Sequence, residues 1–188
     1  DNGADDVQQL WSAVNDLIRM IHRIDPDHPA TVPVYPGSAE TVLRMCPDID
    51  LIAVNSFSNL PGFIQRFSSD IPYIVSEYGP DGPWEGENLS YWLAPVEPAF
   101  DLKCQIVQER HALIRADSAQ CLGSYVFYWG QKQEYTPTWF SFFTETGCKT
   151  PLVDLMFGLW SNRQPENRAP MLRNMTLSGT APDANYNL

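Results

Sequence analysis

The chain has 188 residues, enough for one domain with a sizeable core, and its 44% apolar content excludes general disorder. Twelve Lys plus Arg stand against 23 Asp plus Glu, a net charge of −11 with no basic cluster to offset it, which argues against a nucleic-acid partner. No apolar run approaches the roughly 18 residues of a membrane-spanning helix, so no membrane partner is expected.

Asp1 to Asp6 lack the basic and apolar regions of a signal peptide, so any such leader is expected to be removed or to lie upstream. The compartment stays open, with a secreted or periplasmic one favoured. Val7, Leu10, Trp11, Val14, Leu17, Ile18 and Ile21 recur at spacings of three and four and predict an amphipathic helix, ended by Asp25-Pro26. Ala30 to Tyr35 reads as a short strand closed by Pro36-Gly37. Ser38 is placed to cap a helix through Met45. Ile49 to Val54 is a second apolar strand running into Asn55-Ser56-Phe57, and Pro61 to Phe67 a short helix.

The third strand is Tyr73-Ile74-Val75, β-branched and aromatic. It leads into Ser76-Glu77-Tyr78-Gly79 and is broken by Pro80, Gly82 and Pro83. Glu77 therefore falls at the C-terminal end of a strand, the edge at which β/α barrels do their chemistry; the alternative is a carboxylate that only caps a turn. A long helix follows, with Val96, Phe100, Cys104, Val107, His111 and Ile114 on one face; His111 reads as a core histidine rather than a ligand. Cys121 to Trp129 is the fourth strand and Pro151 to Trp160 the last helix, its proline suited to a first turn. Asn167 to Leu188 reads as a linker or the start of another module, with the domain placed at 1–162 and the remainder at 163–188.

Strand and helix alternate, and each strand is nearly all apolar. That pattern predicts an α/β fold with parallel strands joined by right-handed crossovers. No glycine-rich nucleotide motif is present, so no cofactor is expected. Cys46, Cys104, Cys121 and Cys148 form no CxxC pair, so no metal is expected; Cys104 and Cys121 read as buried thiols, with room left for one disulfide. Asn88-Leu89-Ser90 and Asn174-Met175-Thr176 match the N-glycosylation pattern, which is common by chance. From Tyr125 to Phe143, nine of nineteen residues are aromatic. Strand alternation sends half of them to the core. Tyr135 and Trp139, on the loop, are candidates to lay a flat face against a sugar ring, with Gln131, Lys132, Gln133 and Glu134 beside them as hydrogen-bonding groups; the alternative is a core aromatic cluster with a polar turn. Trp84, after Glu77, is a further candidate.

Three stretches taken together carry a resemblance: Val54-Asn55-Ser56-Phe57, Pro72 to Gly79, and Gly123 to Trp129. In this order the chain resembles the second half of a clan A glycoside hydrolase barrel, most closely the (β/α)8 domain of glycoside hydrolase family 2, over residues 1 to about 160. Trp139 to Pro151 is similar to the family's path from a product-side loop to the last helix. The resemblance implies strands five to eight of a TIM barrel, with a poly- or oligosaccharide as substrate and a retaining mechanism. It makes Glu77 the nucleophile and Trp129 the floor of the sugar site, with Asn55 or Phe57 as the polar or aromatic neighbour of the nucleophile. Many relatives have tyrosine in that region, so Phe57 removes a usual hydrogen bond to the glutamate.

A retaining mechanism needs a second carboxylate about 5–5.5 Å from the first. In the family it is the glutamate of an Asn-Glu pair ending strand four, and residues 1–188 hold no such pair in that place. The expected partner is therefore an N-terminal half-barrel outside these residues, or a second copy of the chain. Asp81, Glu85, Glu87 and Glu134, near the expected mouth, read as solvated loop charges or acceptors of sugar hydroxyls. Two alternatives stand beside the enzyme: a non-catalytic carbohydrate-binding or structural half-barrel, and a small flavodoxin-like domain. The latter would want clustered acids after its first strand, where Val34-Tyr35-Pro36 offers none.

Overall fold

The computed structural model describes residues 8–85 and 89–172. Val7, Glu87 and Asn88, both glycosylation patterns in whole or part, and the chain beyond residue 172 lie outside the described residues. Helix α1 (Gln8–Ile24) precedes four strands, β1 (Pro33–Val34), β2 (Ile52–Asn55), β3 (Tyr73–Tyr78) and β4 (Cys121–Val126). Helix α2 (Ala39–Met45) joins β1 to β2, α3 (Leu60–Arg66) joins β2 to β3, α4 (Phe100–Ala116) joins β3 to β4, and α5 (Pro151–Ser161) follows β4. The strands form one sheet in the order β1-β2-β3-β4, every pair parallel. The expected alternation and direction are thus present.

One core holds the elements together. Val34, Ile52, Val54, Tyr73, Val75 and Val126 from the sheet meet Trp11 and Ile18 of α1, Val42 of α2, Leu60 and Phe63 of α3, Val107 and Ile114 of α4, and Leu152 and Met156 of α5. All five helices therefore cover the same face of the sheet. On the other face Leu122 and Tyr125 are two-thirds exposed, so the described residues leave it open. The expectation of strands covered on both faces holds for one face only.

Several boundaries differ from the sequence reading for local reasons. Strand β1 is two residues long because Pro33 has no N–H to give to a ladder. The preceding stretch is tied by side chains instead: the Ala30 N–H donates to the Asp50 carboxylate (2.6 Å) and the Thr31 hydroxyl to the Leu51 carbonyl (2.7 Å). Strand β4 stops at Val126, since Tyr128 and Gly130 pair with Phe140, Phe142 and Phe143 rather than with the sheet. Helix α4 starts at Phe100, leaving Val96 half-exposed before it, because Pro95 and Pro98 break the run. Ser38 precedes α2, but its hydroxyl makes no capping bond; a 3-10 turn over Pro36–Ser38 leads into the helix.

All four cysteines are free thiols; Cys46 is the buried one, while Cys104 and Cys121 are partly buried. His111 is buried in the core and shares a 3.1 Å hydrogen bond with the Tyr78 hydroxyl. Residues 163–172 return to α5: Lys149 donates to the Asn167 carbonyl and the Ala169 N–H to the Asp154 carboxylate (2.6 Å). This first part of the expected linker is held on the domain. Among the described residues no helix is long and apolar enough to cross a membrane.

Candidate active site

Glu77 is the second-last residue of β3, and a bulge fixes which way it points. Val54 is opposite Val75 while Asn55 is opposite Glu77, so β3 carries one extra residue, Ser76. Val75 and Tyr78 remain in the helix-side core, and Ser76 and Glu77 turn toward the open face. The Ser76 hydroxyl donates to the Asn55 side-chain carbonyl (2.6 Å), so Asn55 braces the bulge beside Glu77. Gly79 follows because nothing larger fits: a Cβ there would stand 2.5 Å from the Phe127 carbonyl oxygen. Arg110 of α4, buried, donates to the Gly79 carbonyl (2.5 Å) and to the Asp81 carboxylate, pinning the turn from below.

Four aromatic rings gather at this edge. Phe57 stands 5.7 Å from Trp84, 5.8 Å from Phe127 and 5.3 Å from Phe140, and Trp84 is 5.7 Å from Phe140. Trp84 is exposed and Phe140 fully buried, so the cluster runs from core to solvent. The Lys132 ammonium lies 5.3 Å over the Phe127 ring and pairs with Glu134. The Lys132 N–H also donates to the Ser141 hydroxyl (2.9 Å), which fixes its loop. Burial pushes the Glu77 carboxyl above the ordinary carboxylate range, and the Lys132 charge opposes that push. The Ser56 hydroxyl, buried where β2 ends, has no hydrogen-bond partner among the described residues, and the Ser56 N–H donates to the Glu77 carbonyl (2.9 Å).

Two aromatic expectations need correction. Trp129 does not join these rings; it packs 5.6 Å from Phe142, 5.3 Å from Phe143 and 5.3 Å from Trp160 of α5. The residue of β4's end that meets Phe57 and Lys132 is Phe127, which the sequence reading passed over. Trp139 is 3% exposed and its indole N–H donates to the Asp81 carbonyl (2.9 Å), so it is a wall of the loop rather than an open platform. Tyr135, 6.1 Å from Trp139, is the exposed partner, held at φ 59°. Gln131 is exposed.

Among the described residues, the other carboxylates of the mouth are engaged. Asp81 pairs with Arg110, and Glu134 with Lys132. Glu85 accepts from the Ser58 N–H (3.0 Å) and hydroxyl (2.5 Å) and from the Gly82 N–H (2.8 Å). Among the described residues no group of three His, Cys, Asp or Glu could hold a metal ion.

No protein-family model and no curated protein matches the sequence. In structure the chain is similar to the β-glucuronidase of Ruminococcus gnavus, with a TM-score of 0.52 at 13% identity over 73% of this chain and 27% of that one. It is likewise similar to a Bacteroides uniformis β-glucuronidase, with a TM-score of 0.54 at 16% identity over 78% of this chain and 19% of that one. A third neighbour is Bacteroides uniformis β-glucuronidase 2 covalently bound to cyclophellitol-6-carboxylate aziridine, with a TM-score of 0.53, 17% identity and the same coverage. The fold is half of a (β/α)8 barrel. At these identities the likeness is one of fold, and the chain spans only 19–27% of the neighbours' length.

The geometry gives Lys132 a measurable role if Glu77 must ionise to act. Burial raises the Glu77 pKa and Lys132 pulls it back, so removing the cation leaves burial unopposed. In an enzyme that acts through Glu77, Lys132→Met is expected to move the acid limb of the kcat/KM profile to higher pH, while Lys132→Arg leaves it near its original place. A limb that stays fixed in Lys132→Met would show that the two groups do not interact during turnover.

Proposed function

We propose that this chain is the nucleophile-bearing half, strands five to eight, of a retaining glycoside hydrolase of family 2 type acting on an oligo- or polysaccharide. The observation that carries the reading is the setting of Glu77. It lies at the C-terminal end of a barrel strand, half-buried on the open face and within reach of the Lys132 charge, and Gly79, two residues on, abuts Phe57 and Phe127 of the four-ring aromatic cluster. Glu77 attacks the anomeric carbon, Phe127 and Phe57 form the apolar floor, and Trp84 offers the exposed ring. Asn55 holds the bulge that aims the nucleophile, and the Lys132 charge opposes the upward push of burial on its pKa. The covalent adduct in one β-glucuronidase of similar fold supports a nucleophilic route for this barrel type.

The acid/base belongs to an N-terminal half-barrel outside these residues. Helix α1 supplies a surface for that half: Leu10, Leu17, Ile21 and Ile24 are 41, 54, 42 and 75% exposed along one stripe beside the face that holds Trp11 and Ile18 in the core. A mechanism-based fluorosugar added to the complete enzyme is expected to label Glu77, and residues 1–188 alone to label only once the upstream half is supplied. Label on another carboxylate rejects the assignment.

A second reading has its own support. Because Asp81, Glu85 and Glu134 are all engaged, the described residues also suit a half-barrel that binds sugar without cleaving it. The absence of any covalent label in the complete protein, together with retained oligosaccharide binding, would favour that reading.

A further inference from the structure

The connection from β3 to α4 carries two aromatic side chains that the site above does not use. Tyr91 and Trp92 are 82 and 71% exposed, and Leu93 beside them is 76% exposed. The turn that bears them is firmly closed. Leu93 donates its N–H to the Ser90 carbonyl (2.9 Å), Ser90 to the Ala94 carbonyl (2.8 Å), and Ala94 to the Ser90 hydroxyl (3.1 Å). Leu89 and Pro95 bridge its base, and Leu93 is held at φ 61°, a conformation unfavourable for a branched side chain. The Tyr91 and Trp92 rings stand 5.7 Å apart at 89°, so they present faces in two directions.

The turn is anchored to the wall of the candidate site. Pro95 and Val96 at its base line a cavity of about 260 Å³ together with Asp81, Glu85 and Trp139. Those three belong to the turn after Glu77 and to the loop that carries Lys132. The turn that bears the aromatic pair therefore springs from the connection that follows Glu77 and packs at its base against that connection, with neither ring in the Phe57, Trp84, Phe127 and Phe140 cluster.

We propose that Tyr91 and Trp92 form a distal subsite that stacks on the pyranose rings of an extended polysaccharide, so that the substrate is a chain gripped at two places. A pair of rings carried on a closed turn, each with a polar tip, matches a sugar that has an apolar C–H face and hydroxyls at its edge. Other occupants fit less well. Two aromatic side chains bury about 150–250 Å² each, short of the roughly 800 Å² that each partner contributes to a stable protein interface. A net charge of −11 repels an anionic lipid surface.

For catalysis this inference rests on the glycosidase reading, so its test separates binding from turnover. In the complete enzyme carrying Glu77→Gln, tryptophan fluorescence is titrated with the hexasaccharides of cellulose, xylan, laminarin, mannan and galacturonan, and with the matching monosaccharides. Adding Tyr91→Ala and Trp92→Ala is expected to weaken binding of the preferred hexasaccharide by about tenfold, the size of one lost aromatic contact, and to leave monosaccharide binding unchanged. Both positions are exposed, and circular dichroism checks that the fold is intact. Equal weakening for both sugar lengths, no weakening, no hexasaccharide binding in the parent, or a change only in oligomeric state overturns the subsite. If Glu77→Gln retains turnover while the double substitution still loses the hexasaccharide, the nucleophile assignment fails and the subsite stands.

Discussion

On the proposed glycosidase reading, Glu77→Gln in the complete protein is expected to lower kcat by on the order of 10⁴–10⁶-fold, the range seen when a residue of the covalent step is removed. The amide keeps the shape of the carboxylate, and the position is only half-buried at the open face, so the fold should tolerate the change. The interactions that hold the bulge are made by Ser76 and Asn55, not by the Glu77 side chain, and the Gly79 turn is held by Arg110. Sugar binding should therefore survive while turnover is lost. Single-turnover kinetics with an activated aryl glycoside checks this, since a good leaving group isolates the attack on carbon from the need for acid help. A variant that keeps more than about a tenth of the parental rate would remove Glu77 from the chemistry.

Glu97→Ala is expected to cost the protein about 3–5 kcal/mol, because it strands a buried cation. Lys103 is fully buried on α4, and its ammonium donates to Glu97 and to the Thr138 carbonyl (2.8 Å). Glu97 accepts further bonds from the Thr136 and Thr138 hydroxyls. Those hydrogen bonds and the lysine hold the Glu97 carboxyl below the ordinary range against the opposing effect of burial. With the carboxylate gone, Lys103 keeps one carbonyl and the face of Phe100. Replacing both partners, Glu97→Gln with Lys103→Met, should recover most of the loss, since the cost lies in the unpaired charge. Urea unfolding at unchanged m-value measures the difference, and a Glu97→Ala loss under about 1 kcal/mol would count against it. The pH dependence has a definite sign. A depressed carboxyl contributes stability above the ordinary glutamate pKa of about 4.3, and that contribution is lost as pH falls through the lower folded value.

The fold was readable because its strands are short β-branched or aromatic runs and its helices carry apolar stripes. Errors arose where that signal was produced by something else. Phe127-Tyr128-Trp129 reads as strand because it is aromatic, yet Tyr128 pairs across the loop with Phe140 and Phe142. Period-two counting from the core residue Val126 would have turned Phe127 to the open face, which is where it meets Phe57. The strand-end position of Glu77 was legible because Gly79 and the prolines mark the end of its strand. Lys132 was legible only as a polar loop residue, and nothing local shows that its charge reaches Glu77.

Trp139 was misread because its burial depends on the Asp81 carbonyl, 58 positions away in the chain. Lys103 and Arg110 were missed although they lie on the inward stripe of α4 with Val107, His111 and Ile114. A charged residue on such a stripe signals a buried partner, but only the folded chain shows that the partners are Glu97 and Asp81.

The sequential order of the sheet bears on how such a molecule can be divided and joined. Each strand is hydrogen-bonded to the strand nearest it in sequence, and each helix crosses on the same side. A break in the polypeptide ahead of α1 therefore cuts no rung between the four strands and leaves no segment threaded through another. Units of one strand and one helix can be appended at either end without altering the path of those already in place. The architecture is thus additive, suited to growth by duplication and to assembly from separately inherited pieces.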